Sequence, residues 1–207
     1  MSAPKLPKGP ITADELVRLK EEMLRTDPEY RAKFEAVEAE RRERVRVLTE
    51  AERPIVADLR AVGVEVDSVW DLVNTAEPYP DALPVLLDHL ERDYPDRVRE
   101  GIARALAVKP AAAFWDRLKA LYVAPETGPN TAMGLAAALA VTATEQTFDD
   151  LVELIKDPRN RNRVLLLGEL KRLGGPKGRS ELEALVDDPM LGKEARHLLK
   201  SRKRRGR

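Results

Sequence analysis

The 207 residues carry 36 basic and 36 acidic side chains, no cysteine and nine aromatic rings, so the formal charge is zero and a helical fold is favoured over a sheet. With 43% hydrophobic residues the chain can build a core, which excludes continuous disorder and fits one compact domain or a short solenoid. Zero cysteine excludes disulfides, thiol nucleophiles and Cys-ligated zinc or iron–sulfur centres. Two histidines, His89 and His197, are too few for most imidazole-built metal sites, so no cofactor is expected.

Residues 1–11 hold two lysines and no apolar stretch behind them, which reads as a flexible leader and not a secretory signal. No apolar run reaches the roughly 18 residues that span a bilayer. The expectation is a cytoplasmic protein with no membrane partner. Thr12 and Glu15 have the spacing of a capping box and open a helical pattern through Leu16, Leu19 and Met23. Asp27 and Pro28 restart it, and Tyr30, Phe34, Val37, Val45 and Leu48 form a second stripe broken at Arg41 and Arg42. That break argues against a free coiled coil and for an N-terminal helical arm over 12–63, a hairpin or a segment packed on the rest. Thr49 and Glu52 repeat the capping spacing, and Pro54 marks either a new helix or a kink. Gly63 reads as a stop, and residues 64–79 as a short helix, Ser68 to Asn74, with a connector.

From residue 80 to 200 the pattern repeats. Prolines 95, 129, 158 and 189 fall 34, 29 and 31 residues apart, and each interval holds two helix-sized apolar patterns. These are Leu83 to Leu90 with Val98 to Ala107, Phe114 to Val123 with Thr131 to Val141, Phe148 to Ile155 with Arg163 to Leu173, and Leu182 to Val186 with Ala195 to Leu199. A two-helix unit of this size buries its face only by stacking on a neighbour. In the first unit Leu86, Leu87, Leu90 and Asp93 are followed by Val98, Arg99, Ile102, Ala103, Ala105 and Leu106; in the third, Leu151, Leu154, Ile155 and Asp157 are followed by Arg163, Leu166 and Leu170. Both resemble the HEAT repeat. The resemblance implies an all-α fold of helical hairpins stacked as a short right-handed, armadillo-like α-solenoid. It also implies that Asp93, Arg99, Asp157 and Arg163 bond between adjacent repeats. The second unit lacks the Asp–Arg pair, and the fourth has Asp188 but Glu194 in the arginine position.

Catalytic constellations are weak. The serines Ser2, Ser68, Ser180 and Ser201 lie outside any nucleophile elbow. His89 reads as an exposed or helix-end residue, and Asp149 with Asp150 as a helix N-terminus. Asp187 and Asp188 read as a turn cap. The glycine-rich run from Gly174 to Gly178 lacks the phosphate-loop spacing and reads as a stop and an interhelical turn. Trp115 is expected in packing or in contact with a partner. No enzyme is expected.

Charge is segregated beneath the zero total. Residues 1–50 hold 11 basic and 11 acidic side chains, residues 51–155 hold 9 and 18, and residues 156–207 hold 16 and 7. The tail over 201–207, with Lys200 before it, contributes Arg202, Lys203, Arg204 and Arg205, a composition suited to phosphate or to an acidic protein. The leading expectation is a noncatalytic protein–protein interaction module, a HEAT-like scaffold or adaptor with charge-segregated surfaces and a protein partner. The alternatives are nucleic-acid binding through the basic C-terminal end and an antitoxin- or immunity-like role for the acidic middle.

Overall fold

The computed structural model describes residues 11–200. Among them are eleven α-helices, two 3₁₀ segments and no strand, and no helix is long and apolar enough to cross a membrane. The fold is therefore all-helical. The chain divides into two compact units between Glu50 and Ala51. Apart from Ile11, the leader lies outside the described residues, as does the tail beyond Lys200.

In the first unit, α1 (Ala13–Thr26) begins with the capping box that its sequence predicts: the Glu15 amide donates to Thr12 Oγ1, and the Thr12 amide donates to the Glu15 carboxylate. A single residue, Asp27, links it to α2 (Pro28–Ala61), and the Asp27 carboxylate accepts from the amides of Glu29 and Tyr30 at 3.0 Å. Arg31 fastens the corner by donating to the carbonyls of Leu24 and Arg25, while Lys20 lies 4.3 Å above the Phe34 ring. No side chain described between residues 11 and 50 is buried. This part of α2 is instead lined with pairs one turn apart, Glu29 with Lys33, Glu40 with Arg44, and Arg46 with both Glu43 and Glu50.

In the second unit, α2 continues through Pro54 without a new start, and its buried side chains begin at Glu52 and include Ile55 and Leu59. The capping spacing at Thr49 and Glu52 is thus used differently. The Glu52 carboxylate accepts from Ser68 Oγ at 2.6 Å and from the Val69 amide, holding the start of α3 (Val69–Asn74). Four helical pairs follow. These are α4 (Ala82–Leu90) with α5 (Asp96–Ala105), and α6 (Trp115–Val123) with α7 (Pro129–Thr142). They are followed by α8 (Phe148–Lys156) with α9 (Leu167–Leu173), and α10 (Gly175–Ala184) with α11 (Gly192–Lys200). Short 3₁₀ segments at Lys109–Phe114 and Arg163–Leu166 lead into α6 and α9.

The principal contacts join near neighbours in chain order. Helix α5 packs on α3, α4 and α7; α7 also packs on α6 and on the segment Arg163–Leu166; α9 packs on α8, α10 and α11. Close approach requires missing side chains. A Cβ at Gly134 of α7 would stand 2.8 Å from the Glu100 carbonyl oxygen and 2.9 Å from Ala103 Cβ, both on α5. A Cβ at Gly178 would collide with the Leu170 carbonyl oxygen on α9. The run from Gly174 to Gly178 therefore is not only an interhelical turn. It forms the first turn of α10, with Pro176 in a position where no helical amide is lost.

Candidate interaction surface

The residues singled out by their spacing serve mostly within their own pairs. Asp93 is exposed and has no hydrogen bond or ion pair among the described residues. Arg99 donates from Nε to the Leu90 carbonyl at 3.2 Å, and Arg163 from a terminal nitrogen to the Ile155 carbonyl at 2.7 Å, so each cation closes the C-terminal end of the preceding helix. Asp157 binds Arg159 two residues away, and that guanidinium with the Arg159 amide brings its carboxyl down to about 2. Only Arg163 of these four also reaches the next pair, 3.8 Å from Asp188. No direct Asp–Arg bond joins either pair six residues apart among the described residues.

A cluster of bonds that crosses between pairs starts at Asp96, the first residue of α5. Its carboxylate accepts from the Asn130 amide and Nδ2 at 3.0 and 2.8 Å, and from the Thr131 amide and Oγ1 at 2.9 and 2.7 Å. It therefore caps α7 from a neighbouring helix. Burial pushes this carboxyl up, and the four donated bonds outweigh it, leaving the group below the usual aspartate range. Sequence reading passed over Asp96 because Pro95 and Asp96 look like an ordinary helix start. The usable signal lay at α7, whose N-cap, Gly128, has no side chain to offer its first amides.

The first helices of successive pairs are bridged by charged side chains. Asp58 of α2 accepts from His89 Nε2 at 2.8 Å, and His89 Nδ1 lies 2.7 Å from the Tyr94 hydroxyl. His89 is at the end of α4 but only 1% exposed, so the expected exposure is corrected by these two partners. Arg117 of α6 pairs with Glu91 at 2.7 Å. Trp115, 5% exposed, donates from Nε1 to Asp150 of α8 at 3.0 Å, and Lys119 reaches the same carboxylate at 2.7 Å. Those two donors hold the Asp150 carboxyl below its usual range. This burial leaves Trp115 little surface to offer a partner. Asp149 pairs with Lys177 and Glu181 with Lys156, joining α8 to α10. Asp188 accepts from the amides of Met190 and Leu191, a turn cap as its position predicts.

A different face lacks such partners. Helix α7 has no charged residue in its 14 positions. Thr131, Gly134, Leu135, Ala138, Leu139 and Thr142 are buried, whereas Met133, Ala137 and Ala140 are half-buried and Val141 is exposed. These four recur at helical spacing and make an uncharged ridge. Val164 and Leu165, in the 3₁₀ segment packed on α7, are each 44% exposed. On α5, Glu100 is buried between Arg97 and Arg104, and the Arg97 guanidinium lies 4.2 Å above the Trp70 ring. In a chain that is 35% charged, a solvent-facing helix side with no charge is the signal that sequence reading could have caught.

Lys200 is exposed at the end of α11, while Arg202, Lys203, Arg204 and Arg205 lie outside the described residues. Among the described residues no group of three His, Asp or Glu side chains is placed to hold a metal ion. Comparison with protein-family models, with curated proteins and with solved structures returns no match.

Proposed function

We propose that this chain is a noncatalytic, cytoplasmic protein-interaction module, a short HEAT-like α-solenoid that serves as a scaffold or adaptor. The uncharged ridge of α7 carries the reading. A helix that covers its buried side with small residues and leaves Met133, Ala137, Ala140 and Val141 outward spends no charge on solvation, as a docking face requires. Val164 and Leu165, on the segment that packs on α7, are further exposed apolar side chains. The repeat reading is supported by contacts that run from each helical pair to the next. In this reading the partner is a protein with a complementary apolar patch, steered by the acidic middle and the basic end of the chain.

Affinity capture with the full chain, run beside Val141→Glu and Leu165→Glu, tests the reading. Both side chains are exposed, so the variants should melt with the parent. A protein retained by the parent and weakened about tenfold or more by both variants supports a docking role for this face. Equal retention by all three chains rejects it.

A further inference from the structure

The uncharged ridge of α7 has a charged neighbour. Asp96 in the first turn of α5 caps the first turn of α7, and Gly134 backs on Glu100 and Ala103, so the two helices run side by side in the same direction. Around α5, Ala103 is turned to α7 and Gly101 to Trp70 of α3, so the face shared by Arg97, Glu100 and Arg104 looks out between those neighbours. Around α7, Gly134 is turned to α5 and Leu135 and Leu139 are buried, which leaves Met133, Ala137 and Ala140 on the same outer side.

Both carboxylates of α5 are already engaged. Asp96 is bound to Asn130 and Thr131, and Glu100, its side chain 1% exposed, accepts from Arg97 and, at 2.8 Å, from Arg104 Nε. Each guanidinium gives one N–H to Glu100, and its other donors have no hydrogen-bond partner among the described residues. Arg97 is held over the Trp70 ring with 52% of its side chain exposed. Arg97 and Arg104 are two helical turns apart, about 10 Å along the axis, and so are Met133 and Ala140. A row of cations therefore runs beside an uncharged row of the same length.

We infer, resting on the docking role proposed above, that this face takes an amphipathic helix of a partner protein, its apolar stripe on α7 and two carboxylates, two turns apart, on Arg97 and Arg104. The two rows together select this occupant. A second copy of the face is opposed by charge, because α7 has no charged residue and the α5 carboxylates are engaged, so arginines would meet arginines. A nucleic-acid backbone brings phosphates but nothing that covers an apolar row. A lipid surface takes up large apolar side chains that stand out from a helix, whereas Ala137 and Ala140 are small, half-buried and flanked by longer arginines. An acidic, stripe-bearing helix satisfies both rows at once.

The test is selection on the full chain from a displayed library of helical peptides about five turns long, followed by fluorescence anisotropy with the selected peptide. The expected peptides carry an apolar stripe with two acidic residues two turns apart. Changing those acids to their amides should weaken binding about tenfold, Arg97→Gln should do the same, and the two changes together should cost little more than either alone. Lys109→Gln should bind as the parent does. Should Arg97→Gln melt early for want of a Glu100 partner, the peptide's acid-to-amide change reads the same contact in an unaltered chain. Selected stripes with no acidic preference, lost in Val141→Glu and Leu165→Glu, overturn this inference and leave the docking role standing. Selection of nothing that those two variants abolish overturns both. The inference also falls if duplex DNA or phosphatidylserine vesicles displace the peptide and themselves need Arg97, or if the parent sediments as an oligomer that Leu165→Glu dissolves.

Discussion

Helices α5 and α7 meet backbone against backbone, whereas α6 and α8 are bridged by the ends of long side chains. The first contact is built on Gly134 against the Glu100 carbonyl and Ala103, with Asp96 closing the end of α7. The second is built on Trp115 and Lys119 sharing the Asp150 carboxylate. A contact of the first kind has no slack, because a carbonyl oxygen cannot rotate away from an added methyl. A contact of the second kind tolerates small shifts, because lysine can follow its partner. The difference teaches where the unit is rigid: backbone contacts at glycine, Gly134 against α5 and Gly178 against α9, fix distances, and the side-chain bridge between α6 and α8 adds polar links that adapt to them.

The largest test of this division is Gly178→Ala, where the added methyl meets the Leu170 carbonyl oxygen. The expected loss is at least about 3 kcal/mol in chemical denaturation, beyond the overpacking cost of a yielding site. Gly168→Ala is its counterpart, since a Cβ there has nothing within 4 Å. It should stabilise by about 0.5–1 kcal/mol through lost backbone freedom in the unfolded chain. If both glycines respond alike, close approach is not what sets the α9–α10 contact.

Asp96→Ala comes next, with an expected loss of about 2–3 kcal/mol, because it removes the external cap of α7 and leaves the Thr131 hydroxyl only its longer bond, 3.3 Å, to the residue-96 carbonyl. The effect has a sign in pH. A carboxyl held below its unfolded value contributes fully above that value, near 4, and loses the contribution as pH falls through the folded one. The gap between parent and Asp96→Ala should therefore be constant near neutrality and narrow on acidification below about pH 4. A gap that stays constant to the lowest pH would mean that the loss comes from packing and not from the ionised cap.

Asp150→Ala should cost less, about 1–2 kcal/mol, mostly by leaving the Trp115 indole N–H without its acceptor. Trp115→Phe in the same background should then add little from the lost N–H, so the double variant measures how far the two act as one. Full additivity would separate the indole from the carboxylate and dissolve the polar link between α6 and α8.

Much of the helical outline was legible because local chemistry wrote it. Thr12 and Glu15 form the predicted cap, Asp27 and Pro28 restart the helix, and the proline spacing marks where paired helices alternate. The bonds between pairs were not legible. Asp93 and Arg99 have the right spacing along the chain, but spacing along one segment says nothing about where the carbonyl of Leu90 stands, and that carbonyl takes the arginine. The Asp96 bond to Thr131 spans 35 residues and depends on α5 and α7 lying within a glycine's width of each other. The uncharged side of α7 was visible as composition, yet which of its residues face outward is decided only by its neighbours.

The smallest expected effect concerns residues 11–50, where no described side chain is buried. Arg46 bridges Glu43 and Glu50 along one side of α2, with 62% of its side chain exposed. Solvent screens such a pair, and the helix turn it supports is also held by its own backbone bonds. Arg46→Ala should leave the melting of residues 51–200 unchanged and only speed amide exchange around residues 43–50, less so at high salt, where the pair is already weakened. Exchange in the parent should already run faster over 13–50 than over α5 and α7, because opening a helix that buries nothing exposes no new apolar surface. Protection of residues 13–50 equal to that of α7 would show that this segment is covered in solution, and the comparison between a solvated helix and a packed one would have to be redrawn around whatever covers it.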